Sequence, residues 1–213
     1  MIDRYLSLDG AMDAELQNEL TPSDALALLK DGVRRSTSGK VSGRDRQSLL
    51  NDAAGGQFPY AAVLSCIDSR APVEQIFDAA SGDLFVARVA GNVASPDLVA
   101  SLEYATKYAG SKAILVLGHT RCGAVKGAWA GLEDGHLTGL LGRIQPAVKS
   151  TKSDRGEEGS PANLDACSAV NVSMTIEALR QDSAILSELE SKGDIAIVGG
   201  VYDVATGEVS WLD

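Results

Sequence analysis

The sequence lacks any long apolar run: nowhere in its 213 residues does it approach the ~18 to 20 consecutive apolar positions of a membrane span. The first twenty residues, MIDRYLSLDGAMDAELQNEL, carry acidic side chains throughout and no apolar signal core, so no export signal is read there and a soluble, cytoplasmic protein is expected. Positive charge is also in short supply. The 19 Lys and Arg against 29 Asp and Glu leave a formal charge of -10, which argues against nucleic acid or an anionic membrane as partner, since both reward clustered cations. Three cysteines are too few for a disulfide framework. Two of them stand in stretches that also hold Asp68 and His119, which suits metal binding in a reducing compartment.

Other signatures are missing as well. There is no C-x2-C pair of the kind structural zinc sites use, and no P-C-x-x-C of the zinc deaminases. A thiol phosphatase needs C-x5-R, and the residue at that spacing from Cys66 is Pro72. Internal repeats, low-complexity tracts and an interdomain linker are absent too. With 45% hydrophobic residues, 1–213 therefore reads as one domain: an acidic leader (1–20), N-terminal helices (21–54) and an α/β core (55–213).

What is present centres on two stretches, Cys66-Ile67-Asp68-Ser69-Arg70 and His119-Thr120-Arg121-Cys122-Gly123. Each follows a short apolar run, YAAVLS or AILVLG, with the composition of a buried parallel strand. If both strands share a sheet, two thiols and an imidazole meet at its carboxyl edge, where open α/β sheets keep their sites. Two Cys and one His suit a catalytic zinc, with the fourth position left for water or substrate. Asp68 and Arg70 alternate with Cys66, so in extended backbone all three face one way and a bidentate ion pair can form. Asp68 then has two roles open to it: paired with Arg70 beside the metal, or bound to the metal and closing the site. A closed structural zinc, or two buried thiols beside an ordinary core ion pair, are the plainer alternatives.

The rest of the chain reads as alternating strand and helix. Residues 1–20 are expected to be a flexible arm or a partner-docking segment. Thr21 as N-cap and Pro22 at the first helical position open a helix to about Arg35 with Leu26, Leu29 and Val33 on its apolar face, and a second covers Arg44 to Ala54. Strands follow at 60–65, 84–88, 113–118 and 195–202, with a short last one ending at Trp211. Helices are expected after Pro72, from Ser95 to Tyr108, from Cys122, around Pro146 and from Asn163 to Lys192, and Lys152 to Ser160 reads as an exposed mobile loop. The implied fold is α/β: a mostly parallel four-stranded sheet with an added antiparallel edge strand, helices on both faces and an N-terminal helical arm.

At these residues the sequence closely resembles the β-class carbonic anhydrases, from about Thr21 to the C-terminus. It does so through C-x-D-x-R, H-x-x-C, Gly55-Gly56-Gln57, the run FVARVAGN (85–92), Leu102-Glu103-Tyr104-Ala105 and Tyr202-Asp203. The resemblance implies reversible hydration of carbon dioxide to bicarbonate and a proton, by attack of a zinc-bound hydroxide, with one zinc per subunit held by Cys66, His119 and Cys122. It implies Asp68 and Arg70 as the catalytic pair, with Asp68 a further metal ligand only if the site is closed. It also implies Gln57, Phe85 and Tyr104 as pocket residues shared across a homodimer or homotetramer, with Gly123 close to the site. Ala90 replaces the Val usual in plant-like members, which keeps a carbonyl sulfide or carbon disulfide hydrolase as the alternative. Arg88 and Tyr202 match an inhibitory bicarbonate site of some members, but Val63 stands in place of its Trp, so that site is expected to be absent or weak. Cys167 is read as a buried structural thiol, His136 as a solvated surface residue, and Trp129 and Trp211 as packing residues.

Overall fold

A computed structural model describes residues 2–8 and 10–212; positions 1 and 9 of the acidic leader, and 213, lie outside the described residues. Five strands form one sheet: β1 (Ala61–Ser65), β2 (Leu84–Arg88), β3 (Ala113–His119), β4 (Ala196–Tyr202) and β5 (Val209–Leu212). Their order is β2-β1-β3-β4-β5. The first four run parallel, and β5 pairs antiparallel with β4 along one edge, as expected from the alternating pattern. Every residue of β1 and β3 is buried, which is why they read as unbroken apolar runs: a parallel sheet is covered on both faces.

The pleat sorts these runs between two cores. Ala61, Val63, Ala113, Leu115 and Leu117 face one layer, while Ala62, Leu64, Ile114 and Val116 face the other. The first layer holds α1 (Ile2–Leu6), α2 (Ala14–Glu19), α3 (Pro22–Ser38) and α5 (Val73–Ile76). The second holds α6 (Pro96–Glu103), α10 (Pro161–Asp182) and α11 (Ala184–Ser191). Of the remaining helices, α4 (Arg46–Ala53) precedes β1, while α7 (Gly123–Trp129), α8 (Gly135–Gly142) and α9 (Gln145–Arg155) follow β3. A third apolar cluster, including Val93, Val125, Trp129 and Ile144, gathers beneath Cys66 and Cys122.

Helix α3 begins as its sequence says. The Thr21 hydroxyl accepts from the Asp24 amide at 3.1 Å, the Asp24 carboxylate accepts from the Thr21 amide at 3.0 Å, and Pro22 needs no partner at the first position. It runs three residues past Arg35 and stops at Gly39, φ 69°. Its buried face is Ala25, Leu28, Leu29 and Val33, rotated from the expected one, because Gly32 sits against the Phe77 carbonyl where a Cβ would lie 1.9 Å from the oxygen.

The described residues of the first twenty do not form the flexible arm expected. Tyr5, Met12, Leu16 and Leu20 are buried in the first core. The Tyr5 hydroxyl donates to Asp83 at 2.7 Å and accepts from Arg44 at 2.7 Å, and Arg44 also pairs with Asp83. Gln17 donates to the Pro59 and Ala109 carbonyls, both at 2.8 Å. Two short helices carry too few turns to display a period, so the burial was hidden in the sequence.

Three further expectations are corrected. Helix α9 extends through Arg155, leaving only 156–160 as loop. The long late helix breaks at Ser183, whose hydroxyl caps α11 through the Leu186 amide and donates to Glu103. The helix from Ser95 ends in a wider π turn, Tyr104–Tyr108, before Gly110 at φ 81°.

Candidate active site

The strand order reverses between β1 and β3: the chain leaves β1 toward β2, then crosses back to lay β3 on the other side. Ligands of open α/β sheets bind beyond the carboxyl ends of strands at such a point. Ser65 pairs with Leu117, so Cys66 leaves β1 level with Gly118, one residue before His119 closes β3. Cys122 follows after the turn Thr120-Arg121, immediately before α7. The sequence motifs therefore converge: one ligand atom from each of Cys66, His119 and Cys122 lies within 4.8 Å of the others, and all three residues are buried.

The three donors fit a zinc ion. His119 Nδ1 donates to the Thr120 carbonyl at 2.9 Å, which places the ring's lone pair on Nε2. That Nε2 is buried and has no hydrogen-bond partner among the described residues, an orphan in a place where a polar atom is costly. Beside it are two sulfurs, the ligand type zinc prefers alongside imidazole. Hydrogen bonding from Cys122 pulls Cys66 well below the ordinary thiol range, assisted by the Gly91 amide at 3.3 Å, and the same contact with Cys66 pushes Cys122 up.

The dipeptide-spaced partners behave as a unit. Arg70 donates from Nε to Asp68 Oδ1 at 3.0 Å, from Nη2 to Oδ2 at 2.8 Å, and from its amide to Oδ1 at 2.9 Å. These bonds, the side-chain ones foremost, hold the Asp68 carboxyl down at about 2. Asp68 Oδ2 lies 3.8 Å from His119 Nε2, so the carboxylate borders the cluster of three donors while Arg70 occupies both of its oxygens. Arg88 fixes the turn from behind, donating to the carbonyls of Cys66 (2.9 Å), Asp68 (2.6 Å) and Ala71 (3.2 Å). In the sequence Arg88 stands out only as a match to an anion site that is expected to be absent or weak. Its position opposite Ser65, at the last pair of the β1–β2 register, is the signal for this second role.

Of the expected pocket residues, Gly123 follows Cys122 and Ala90 precedes Gly91, whose amide reaches Cys66 Sγ, but Phe85 does not lie beside the triad of its own chain. Phe85 pairs with Ala62, four residues before Cys66, so it lies down the sheet by about 13 Å at ~3.3 Å per residue. Phe85 and Tyr104 meet edge to face at 6.3 Å and line an apolar cavity of about 460 Å³ with Ala62, Ala87, Leu98 and Leu102. Tyr104 is 55% exposed, Gln57 is exposed in the loop before β1, and Ala90 is half-buried in a tight turn after β2. Gly123 opens α7 with free space where a Cβ would stand. His136 is exposed on α8. Cys167 is fully buried, and burial pushes its thiol up. Trp211 packs against Phe77, and Trp129 is buried beneath Lys152.

Comparison with known proteins gives a consistent result. Residues 61–209 match the family described as carbonic anhydrase. Among characterised proteins, the chain is 35% identical to carbonic anhydrase 2 of Mycobacterium tuberculosis over 199 residues, covering 90% of this chain and 93% of that one. It is 33% identical to the carbonic anhydrase of Mycolicibacterium smegmatis over 197 residues, covering 88% and 92%. Among solved structures, a β-carbonic anhydrase of Aspergillus fumigatus superposes with a TM-score of 0.72 at 27% identity, covering 90% of each chain. One of two tetrameric β-carbonic anhydrases from Sordaria macrospora superposes at 0.69 with 26% identity, covering 76% and 85%.

Proposed function

The chain belongs to the β-class carbonic anhydrases, enzymes of reversible carbon dioxide hydration, and we propose that it works with one zinc ion held by Cys66, His119 and Cys122 and with Asp68 and Arg70 as its catalytic pair. The observation that carries this reading is the buried, unpartnered His119 Nε2 beside two sulfurs. Bound there, zinc would supply the positive charge that lowers the pKa of a water; two thiolates would weaken that effect, so activity is expected to favour alkaline conditions.

The chain's own groups do the rest. Arg70 keeps Asp68 ionised and beside the three donors, where Oδ2 would orient the attacking oxygen by accepting a hydrogen bond from it. The same grip keeps the carboxylate from becoming a fourth ligand. Gly123 presents no side chain, so the substrate can approach beside Cys122.

Because Phe85 and Tyr104 lie away from the triad of their own chain, the apolar pocket for carbon dioxide is completed by Gln57, Phe85 and Tyr104 of a second copy, beside Ala90 and Gly123 of the first. The working form is accordingly a homodimer or homotetramer; tetramers are described for the Sordaria relatives. Residues 1–213 act as one domain, because the N-terminal helices share the core of the sheet. Among the described residues no helix is long and apolar enough to cross a membrane, and the charge of -10 gives no reason to expect a nucleic acid or membrane partner, so we place the enzyme in the cytoplasm.

Stopped-flow hydration of carbon dioxide with a pH indicator, run beside carbonyl sulfide turnover and elemental analysis, tests the reading. Carbon dioxide turnover with one zinc per chain supports it. A metal-free protein, or one turning over only the sulfur compound, overturns it.

A further inference from the structure

The turn from His119 to Cys122 holds a backbone conformation that the mechanism above does not explain. Arg121 has φ 56°, in the left-handed region that residues with a Cβ seldom enter, and such strain persists only where the surroundings hold it. Both of its backbone polar groups are held. The Arg121 amide donates to Asp165 Oδ1 at 2.7 Å, and its carbonyl accepts from Arg70 Nη2 at 3.2 Å. The neighbouring contacts of this turn, the Thr120 amide to the Tyr202 carbonyl at 2.9 Å and the Val204 amide to the Thr120 hydroxyl at 3.1 Å, fix Thr120 and leave Arg121 to those two groups.

The two holders differ in firmness. The Arg70 side chain is 50% exposed, whereas Asp165 stands in the second turn of the 22-residue α10, which packs on β3 so closely that a Cβ on Gly118 would lie 2.6 Å from Val172. Asp165 is not needed to cap its own helix, because the Ser160 hydroxyl already accepts from the Asn163 amide. Its oxygen is instead spent on a residue 44 positions away.

We infer that Asp165 is a positioning residue for the Asp68–Arg70 pair: by holding the Arg121 amide it sets the carbonyl that orients Arg70, and through Arg70 it sets Asp68. This rests on the catalytic role of Asp68 and Arg70 proposed above. The link from α10 to Asp68 is one chain of hydrogen bonds, Asp165 to Arg121 to Arg70 to Asp68. Asparagine at 165 retains an oxygen that can accept the amide; alanine does not.

The test is a cycle of Asp165→Ala, Asp165→Asn, Asp68→Asn and the Asp165→Ala/Asp68→Asn double variant in the zinc-loaded protein. Expected for Asp165→Ala is a fall in kcat/KM of about tenfold or more with zinc content unchanged, and for Asp165→Asn a rate within about twofold of the parent. The double variant should be no slower than Asp68→Asn alone, since a residue acting through Asp68 has nothing left to orient. A crystal structure of Asp165→Ala should show Arg121 out of the left-handed region and Arg70 detached from its carbonyl. If the alanine variant folds poorly, Asp165→Ser, whose hydroxyl falls short of the amide, gives the same readout. An unchanged turn, equal loss in the Asn and Ala variants, or additive loss in the double variant overturns the inference. So does an unimpaired Asp165→Ala beside an impaired Asp68→Asn. A fully active Asp68→Asn instead removes the catalytic reading itself, and this inference with it.

Discussion

His119 Nε2 and Asp68 Oδ2 stand 3.8 Å apart, too far to bond, because Arg70 holds the carboxylate by both oxygens. Beside a metal held by the proposed donors such a carboxylate would have two uses, and the guanidinium would decide between them. Arg70→Ala should therefore lower carbon dioxide hydration by about a hundredfold while zinc content is kept, and Arg70→Lys should recover only part, since a lysine cannot reproduce the two parallel bonds. Hydration kinetics with elemental analysis on both variants check this; wild-type rates in Arg70→Ala would remove the pair from the mechanism.

Metal removal should affect both activity and stability. Stripping the protein with a chelator should abolish hydration and lower the unfolding temperature, with both restored by zinc. A ligand at a thousandfold excess over its Kd stabilises the folded state by about 4 kcal/mol. Cys66→Ser and His119→Ala should each purify with little metal. A thermal melt that ignores the chelator would argue against the site.

The N-terminal helices should contribute measurably to stability. Asp83 is fully buried, and Arg44, its partner, is nearly so. Asp83→Asn should cost about 3 to 5 kcal/mol by leaving the guanidinium unpaired, and Tyr5→Phe about 1 kcal/mol. Burial foremost raises the Tyr5 phenol above its unfolded value near 10, and Tyr60 likewise. Stability gained from the neutral phenols is then complete below about pH 10 and is lost as the pH rises beyond it. Denaturant midpoints between pH 8 and 11.5 should fall more steeply for the parent than for Tyr5→Phe; parallel curves would show Tyr5 to be solvated.

Gly118 and Gly199 should resist substitution. A Cβ on Gly118 would lie 2.6 Å from Val172 Cγ2, and one on Gly199 would lie 2.8 Å from Val172 Cγ1. Either alanine should cost about 1 to 3 kcal/mol by overpacking, and Val172→Ala should relieve part of it. Denaturant titration of the single and double variants decides the matter.

Bicarbonate should not bind between Arg88 and Tyr202. The Arg88 guanidinium is committed to three carbonyls of the Cys66–Ala71 turn, and Val63, fully buried, offers no indole donor. Anion density at that position in a bicarbonate-soaked crystal would overturn this expectation.

Much of this molecule was legible before its structure. The runs at 61–65 and 113–119 advertise strands buried on both faces, and Thr21-Pro22 with Asp24 announces a helix start, because these signals act within a few residues. Cys66, His119 and Cys122 were legible for the same reason: each lies at or just beyond the end of a strand the sequence marks. The anchoring of Tyr5 and Gln17 was not legible, since Tyr5 finds Asp83 and Gln17 finds Ala109, 78 and 92 positions away. Nor was the left-handed Arg121, a conformation its residue type disfavours and whose backbone partners, Asp165 and Arg70, lie 44 and 51 positions away.

The sequence by itself determined the donor set, the strands and the helix starts, because thiolate, imidazole and short-range hydrogen bonding are properties of residues and their neighbours. Tertiary structure alone decided which atoms meet. The β1–β3 register puts two sulfurs and a nitrogen within 4.8 Å, the orphaned Nε2 faces them, and Phe85 is set down the sheet from the site by its pairing with Ala62. Distances between residues far apart in the chain are set by packing the whole, and no local pattern carries them.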